Sequence, residues 1–428
     1  MNQYAHMSRA LTTSPVMDQL ARLYGEQNGT MLLQRNRYAS ALSHHERLFG
    51  AQAPVYAISA PGRTEIGGNH TDHHRGKVLA AAVSLDTLSV VSPRDDLTVN
   101  IHSEGYPPMT LTLDDLSQRP EEEGTTYALV RGVAARFREL GLPIGGFDAV
   151  ITSTVVSGSG LSSSAAFEVL ISAIFGHLFS GRLPESKLAA KIGQYAENVY
   201  FGKPSGLLDQ MAAAYGGLIT VDFRPDDPAV TPMQYDFAAK GYSLVVVSTG
   251  GSHADLTADY AAIPQEMRAV AAALDAPCLR AVRPEEFWQS LPRLHGQVSD
   301  RALLRAIHYF GENARVDRQV AALRADDLPA FLEAILESGR SSCMYLQNVY
   351  AKPQEQGLSL ALAIAEQHLK GVGAWRVHGG GFAGTTLNFV PHDRLEAFSA
   401  AMEGVFGEGC CHPLNIRPVG AAVIDFKE

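Results

Sequence analysis

Cysteine is scarce in this chain, and what there is carries no chemistry-bearing spacing. The four cysteines, Cys278, Cys343 and the adjacent Cys410 and Cys411, form no C-x-x-C pair, so neither a zinc ribbon nor a dithiol redox motif is supported. A basic run is missing too. The 35 Lys and Arg stand against 45 Asp and Glu, for a formal net charge of -10, which leaves nucleic acid no electrostatic footprint to bind. No apolar stretch approaches the roughly eighteen residues that span a bilayer, and Met1 to Leu20 hold no continuous hydrophobic segment of signal-peptide type. The expectation is a cytoplasmic chain that meets neither membrane nor nucleic acid. Internal repeats and low-complexity segments are absent as well. So is a G-x-G-x-x-G that opens a β-α-β unit with an acid about twenty residues on, which a dinucleotide oxidoreductase would need.

What remains is a composition suited to a large folded enzyme. At 428 residues with 46% hydrophobic side chains, the chain exceeds the size at which a single core stops growing, so two lobes are expected. Helical periodicity from about Pro15 to Leu48 (Val16, Leu20, Leu23, then Leu32, Leu33, Tyr38, Leu42, Leu48) predicts two helices. Alternation predicts a strand from Val55 to Ile66, and Val78 to Val91 reads as buried strand. Helices are predicted over 126–140 and 165–178, and strands over 217–223 and 242–248. The turn-rich link Arg224 to Pro228 places a lobe boundary near residue 230. Strands mixed with helices without regular β-α-β alternation favour an α+β fold.

The most informative stretch is Gly158-Ser159-Gly160-Leu161-Ser162-Ser163-Ser164-Ala165-Ala166, followed at once by the apolar run Phe167 to Ile171. Glycines let backbone approach an anion, serines add hydroxyl donors, and a helix starting at about Leu161 would aim its unsatisfied N–H groups at phosphates. Alone, the stretch fits a serine-capped helix after a flexible turn equally well. It has company: Pro61-Gly62-Arg63-Thr64-Glu65-Ile66-Gly67-Gly68-Asn69-His70-Thr71-Asp72-His73-His74-Arg75-Gly76 upstream, and Val377-His378-Gly379-Gly380-Gly381-Phe382-Ala383-Gly384-Thr385-Thr386 downstream.

Together these resemble the three motifs of the GHMP small-molecule kinases, and the first resembles the galactokinase signature, roughly G-R-V-N-L-I-G-E-H-T-D-Y-N-x-G. The chain keeps Gly62, Arg63, Gly68, His70, Thr71, Asp72 and Gly76, and departs at Asn69, where the pattern has Glu, and at His73, where it has Tyr. The resemblance runs from about residue 40 to the end, although the Cys-Pro-Glu-Leu-Asp segment of many galactokinases has no match in 345–356. It implies a two-lobed GHMP kinase fold with the active site in the cleft between lobes. Residues 1–40 would be an N-terminal helical extension, 41–230 the N-terminal kinase domain and 231–428 the C-terminal one.

The resemblance further implies an ATP- and Mg2+-dependent kinase that phosphorylates the anomeric hydroxyl of a hexose, with D-galactose as the leading substrate. Small-molecule sugar and ATP are the expected partners. Arg63 and Asp209 are the implied catalytic pair. Gly158, Gly160, Leu161, Ser162, Ser163 and Ser164 would bind ATP, with Ser164 and Glu197 on the metal. Asn69, His70, Asp72, Gly206 and Tyr260 would hold the sugar, Tyr260 through its spacing from His253. Whether Asp209 removes a proton or only orients the hydroxyl stays open. As isolated residues, Asp209 reads as a helix N-terminal acid and Glu197 as a surface charge. A metal site at His70, His73 and His74 lacks further ligands at suitable spacing. Because Asn69 removes a charge from the pattern, galacturonic acid or a modified hexose is the alternative substrate. A sugar-sensing homologue without catalysis is the other alternative, against which Arg63, Glu197 and Asp209 all stand.

Overall fold

Two long, almost wholly buried strands, β1 (Tyr56–Gly67) and β2 (Lys77–Pro93), form the spine of the protein. The computed structural model describes residues 3–26, 28–51, 54–155, 160–250, 256–382 and 384–427. Around β1 and β2 pair β3 (Thr98–Ser103), β4 (Met109–Thr112), β5 (Phe147–Ser153), β6 (Leu218–Asp222) and β7 (Ala229–Met233). Among the described strands of this sheet, only the β3–β5 pairing is parallel. A strand that buries both faces favours apolar residues at most positions, and β1 and β2 read largely as small and branched side chains, interrupted by buried polar groups such as Ser59, Arg63, Glu65 and Asp86. Ile58, Ala60 and Val91 enter one core, and Ala57, Leu88 and Val90 the opposite one.

The first core lies beneath α4 (Thr126–Glu139), α5 (Ser163–Ser180), α6 (Ser186–Tyr195) and α7 (Leu208–Tyr215). The second lies beneath α1 (Gln3–Ala10), α2 (Ser14–Tyr24) and α3 (Asn28–Phe49). The two helices expected between Pro15 and Leu48 are α2 and α3, and α1 precedes them. Leu32 and Leu33, counted as core from periodicity, are 51% and 62% exposed. A buried hub fastens these helices to the sheet: Asp86 accepts from Tyr24 Oη and Arg37 Nη1, each at 2.5 Å, and also meets Ser59 and Arg417.

Helix α5 is 18 residues long with a mean hydropathy of 1.4, so a segment with the length and composition to cross a membrane does exist, contrary to the sequence expectation. In this fold its apolar residues pack against β1, β2, α6 and α7, the behaviour of a core helix.

The second sheet is antiparallel, in the order β11-β8-β10-β9, from β8 (Tyr242–Ser248), β9 (Ala374–His378), β10 (Thr385–Pro391) and β11 (Cys411–Leu414). Helices α8 (Thr257–Ala273), α9 (Pro284–Leu294), α10 (Asp300–Arg324), α11 (Leu328–Ser341), α12 (Gly357–Leu369) and α13 (Leu395–Phe406) surround it. A shared core of Ile66, Leu79, Val246, Val316, Phe331 and Phe389 joins the far ends of β1 and β2 to this half. The chain then returns, and β12 (Ala422–Val423) pairs with β1. The expected boundaries at 40 and 230 fall inside α3 and β7, and the carboxyl-terminal strand belongs to the first sheet.

Candidate active site

Arg63 leaves β1 just after a break in register between Pro61 and Arg63. Its backbone N–H donates to Leu161 O at 3.1 Å, which docks the serine-rich turn onto the strand. Its guanidinium then bridges the site: Nε donates to Asp209 Oδ1 at 2.6 Å and Nη1 to the Gly160 carbonyl. Asp209 lies in the first turn of α7, and its second oxygen accepts from Ser162 Oγ. Burial would raise the Asp209 pKa, but the Arg63 guanidinium and the Ser162 hydroxyl outweigh it and hold the carboxyl below its usual range. The Asp209 side chain remains 31% exposed while Arg63 is nearly enclosed, so the carboxylate is the open face of the pair.

Helix α5 begins at Ser163, two residues later than expected, because Ser162 takes a left-handed conformation with φ of 56°. That turn aims the serines at different partners. Ser162 goes to Asp209, and Ser164 Oγ donates to Glu197 Oε1 at 3.0 Å. Glu197 is no surface charge: it is 2% exposed. Its oxygens accept from Lys203 Nζ at 2.8 Å, Ser205 Oγ at 2.5 Å and Gln210 Nε2 at 2.9 Å. Gln210 also donates to Glu168. Burial and the neighbouring Glu197 push the Glu168 carboxyl well up. Gly158 lies outside the described residues, as does His253. Leu161 is buried and presents its carbonyl to Arg63.

The turn after β1 is pinned by backbone groups of the opposite lobe. His70, at φ 59°, directs Nε2 to Gly380 O at 3.0 Å. Burial lowers its pKa to about 3, so the ring is neutral and Nε2 carries the donated proton. Asp72 opens a single helical turn and packs against Gly206, where an added Cβ would clash with Asp72 Oδ2. Tyr260 donates its hydroxyl to Gly381 O at 2.8 Å, its ring edge-on to Phe382. The glycine loop between β9 and β10 backs onto the serine turn: a Cβ at Gly160 would sit 2.6 Å from Thr385 Oγ1 and 3.1 Å from His378 Nδ1.

Asn69 departs from expectation. Expected to face the sugar, it is fully enclosed, with Nδ2 donating to Glu65 Oε1 at 3.0 Å and Gly379 O at 2.7 Å. Its Oδ1 accepts from Asn348 Nδ2 at 2.9 Å and from Ser342 Oγ at 3.3 Å. An amide with both ends occupied inside the protein has nothing left to offer a ligand. His74 is likewise committed to Pro264 O. Among the described residues, no group of three or more His, Cys, Asp or Glu is placed to hold a metal ion, the histidines of the first motif included.

Several contributors were not anticipated. Glu65 pairs with Arg376 Nη2 at 2.6 Å. His308 holds Asn69 O, Glu312 caps the Gly68 and Asn69 amides, and Asn348 reaches Gly380 O. Glu65 sits inside the first motif and Arg376 two residues before His378, so both were close to stretches already singled out. Asn348 lies in the segment that matched no family pattern, and only the fold brings it in.

The chain is similar to known proteins. Residues 43–93 match the galactokinase galactose-binding signature and residues 128–217 the GHMP kinases N terminal domain. Galactokinase of Streptomyces coelicolor is 33% identical, over 84% of this chain and 90% of its own length. Galactokinase of Lactococcus lactis subsp. lactis is 28% identical over 90% of this chain and 96% of its own. The crystal structure of Lactococcus lactis galactokinase complexed with galactose superposes with a TM-score of 0.78 at 25% identity, covering 89% of this chain and 98% of that one. Mevalonate kinase of Methanococcus jannaschii has a TM-score of 0.61 at 14% identity, over 85% and 99% of the two chains, a likeness of fold.

Proposed function

The chain belongs to the galactokinase family of GHMP kinases, and from that premise we propose that it transfers the γ-phosphate of ATP to the anomeric hydroxyl of D-galactose, giving the sugar 1-phosphate and ADP. The observation that carries this reading is the convergence of Arg63, Asp209 and Ser162 beside the serine turn. Asp209 faces the acceptor hydroxyl. The hydroxyl oxygen forms the new bond to γ-phosphorus as the bond to the ADP oxygen breaks, and the hydroxyl proton leaves to Asp209 or to the transferred phosphoryl group. A loose transition state asks mainly for alignment and charge stabilisation. A carboxyl held below its usual range is a weak base, so we assign Asp209 chiefly to orienting the hydroxyl, and Arg63 to balancing charge on the moving group.

Glu197 and Ser164 are the residues that fit a Mg2+ ion accompanying ATP: a buried carboxylate and a hydroxyl 3.0 Å apart are both hard oxygen donors. The cation on Glu197 here is Lys203, 56% exposed, whose ammonium can move to solvent as a divalent ion takes over the charge. Such an ion would take its other ligands from phosphates and water, as Mg2+ commonly does, and would neutralise charge on the phosphates. His70, Asp72, Gly206 and Tyr260 shape the sugar side of the cleft, Asp72 with oxygens suited to a vicinal diol. The galacturonate alternative rested on a charge missing from the sugar-facing surface at residue 69. Asn69 is enclosed, and Glu65 returns a carboxylate to the same corner, so galactose is favoured. A coupled ADP-release assay over hexoses, amino sugars and uronic acids tests this. Preferential turnover of galactose supports it, and preference for a uronic acid would overturn it.

A further inference from the structure

The first motif of this chain exchanges two residues. Where the galactokinase pattern reads amide then acid, four residues apart, this chain has Glu65 and then Asn69. The two side chains are hydrogen-bonded to each other, Asn69 Nδ2 to Glu65 Oε1 at 3.0 Å, so the exchange conserves one acid and one amide in a single contact. The surroundings fit the exchanged order. Arg376, completely buried, donates to Glu65 Oε1 at 2.6 Å, and Asn348 and Ser342 donate to the Asn69 oxygen. A Glu at position 69 would bring a second carboxylate against Glu65.

The two members differ in what they leave open. Asn69 is wholly enclosed, whereas 8% of the Glu65 side chain stays accessible. Among the described residues, Glu65 Oε2 has a single hydrogen-bond partner, Asn69 Nδ2 at the longer distance of 3.3 Å, and so retains acceptor capacity. The carboxylate is also within electrostatic reach of Arg63 and Asp72, which places it in the corner between the transfer residues and the sugar-side turn. We propose that Glu65, not residue 69, is the specificity-determining acid of the sugar pocket, accepting a hydrogen bond from one sugar hydroxyl while Asn69 and Arg376 fix its orientation. This rests on the galactose reading above.

The test compares kcat/KM for galactose and for each monodeoxygalactose that retains the anomeric hydroxyl, in wild type, Glu65→Gln and Glu65→Asp. Glu65→Asp keeps the charge that Arg376 needs and withdraws the carboxylate from the sugar, so it serves if the Gln variant fails to fold. The wild type should penalise one deoxy sugar by about tenfold or more, the worth of a hydrogen bond to a charged group. Both variants should erase most of that penalty while the KM for ATP is unchanged. A purely structural Glu65 would lower all sugars equally, and unchanged ratios in both variants would overturn the proposal. A wild type that phosphorylates no galactose would instead overturn the galactose reading and remove the inference with it.

Discussion

At the scale of single residues, the site concentrates charge in two pairs with different tolerance to change. Asp209 is part exposed and held by Arg63 and Ser162. Asp209→Asn preserves its volume at a part-exposed position, so the fold should persist with turnover reduced by about a hundredfold or more. Steady-state kinetics with a thermal melt check this; wild-type turnover in a folded variant would remove Asp209 from the reaction. Glu197 is deeper and its counter-ion is mobile. Glu197→Gln should raise the Mg2+ concentration needed for half-maximal rate by about tenfold or more at fixed ATP, because a neutral amide is a poor ligand for a hard cation. A magnesium titration that superposes on the wild-type curve would reassign Glu197 to a structural role. Asp209 and Glu197 were named through the resemblance of their stretch to a family pattern, since alone each reads as a helix N-terminal acid or a surface charge. Glu65 and Arg376 were not, since a buried ion pair formed 311 positions apart leaves no local pattern.

Elements carry the geometry, and here the breaks in regularity matter most. The left-handed Ser162 delays α5 so that successive serines serve Asp209 and Glu197. Periodicity located α5, β1 and β8 closely, but it could not report a single residue at positive φ, nor distinguish the buried from the exposed leucines of α3, where Leu32 and Leu33 face solvent. Long apolar strands were plain because burial on both faces leaves few polar positions. The approach of Gly206 to Asp72 yields a prediction at this scale. Gly206→Ala inserts a methyl where Asp72 Oδ2 lies, and the acid must move while α7 keeps its place. The KM for galactose should rise by about tenfold with a smaller change in the KM for ATP. Equal changes in both constants would mean that the whole turn had shifted rather than Asp72.

For the molecule as a whole, buried histidines are among the contacts between the halves, and they shape how stability responds to acid. Burial lowers His70 to about 3, His74 and His308 to about 4, and His378 well below its usual value. A group whose folded pKa is depressed stabilises above its unfolded pKa, near 6.5 for histidine, and loses that contribution as pH falls toward the folded value. Glu65, raised to about 7 mainly by burial, and Glu168, raised well up for the same reason, act oppositely and favour the folded state as pH falls. Below pH 6.5 these histidines favour the unfolded chain, His44, His45, His177 and His412, also lowered by burial, add to them, and the two raised carboxyls offset part of the loss. Stability should fall on acidification, each depressed histidine contributing at most about 1.4 kcal/mol per pH unit. His308 isolates the effect, since it lies among Glu312, Arg315 and Arg376, and its Nε2–H serves Asn69 O at 3.0 Å. His308→Gln keeps a donor but cannot titrate, so its unfolding free energy, although lower at pH 7, should decline less steeply from pH 7 to 5. Denaturant unfolding of both proteins at closely spaced pH values measures the two slopes. A wild-type stability that rises between pH 6.5 and 5 would show that the carboxyl protons outweigh the histidines, and equal slopes would show that His308 is protonated in the folded enzyme.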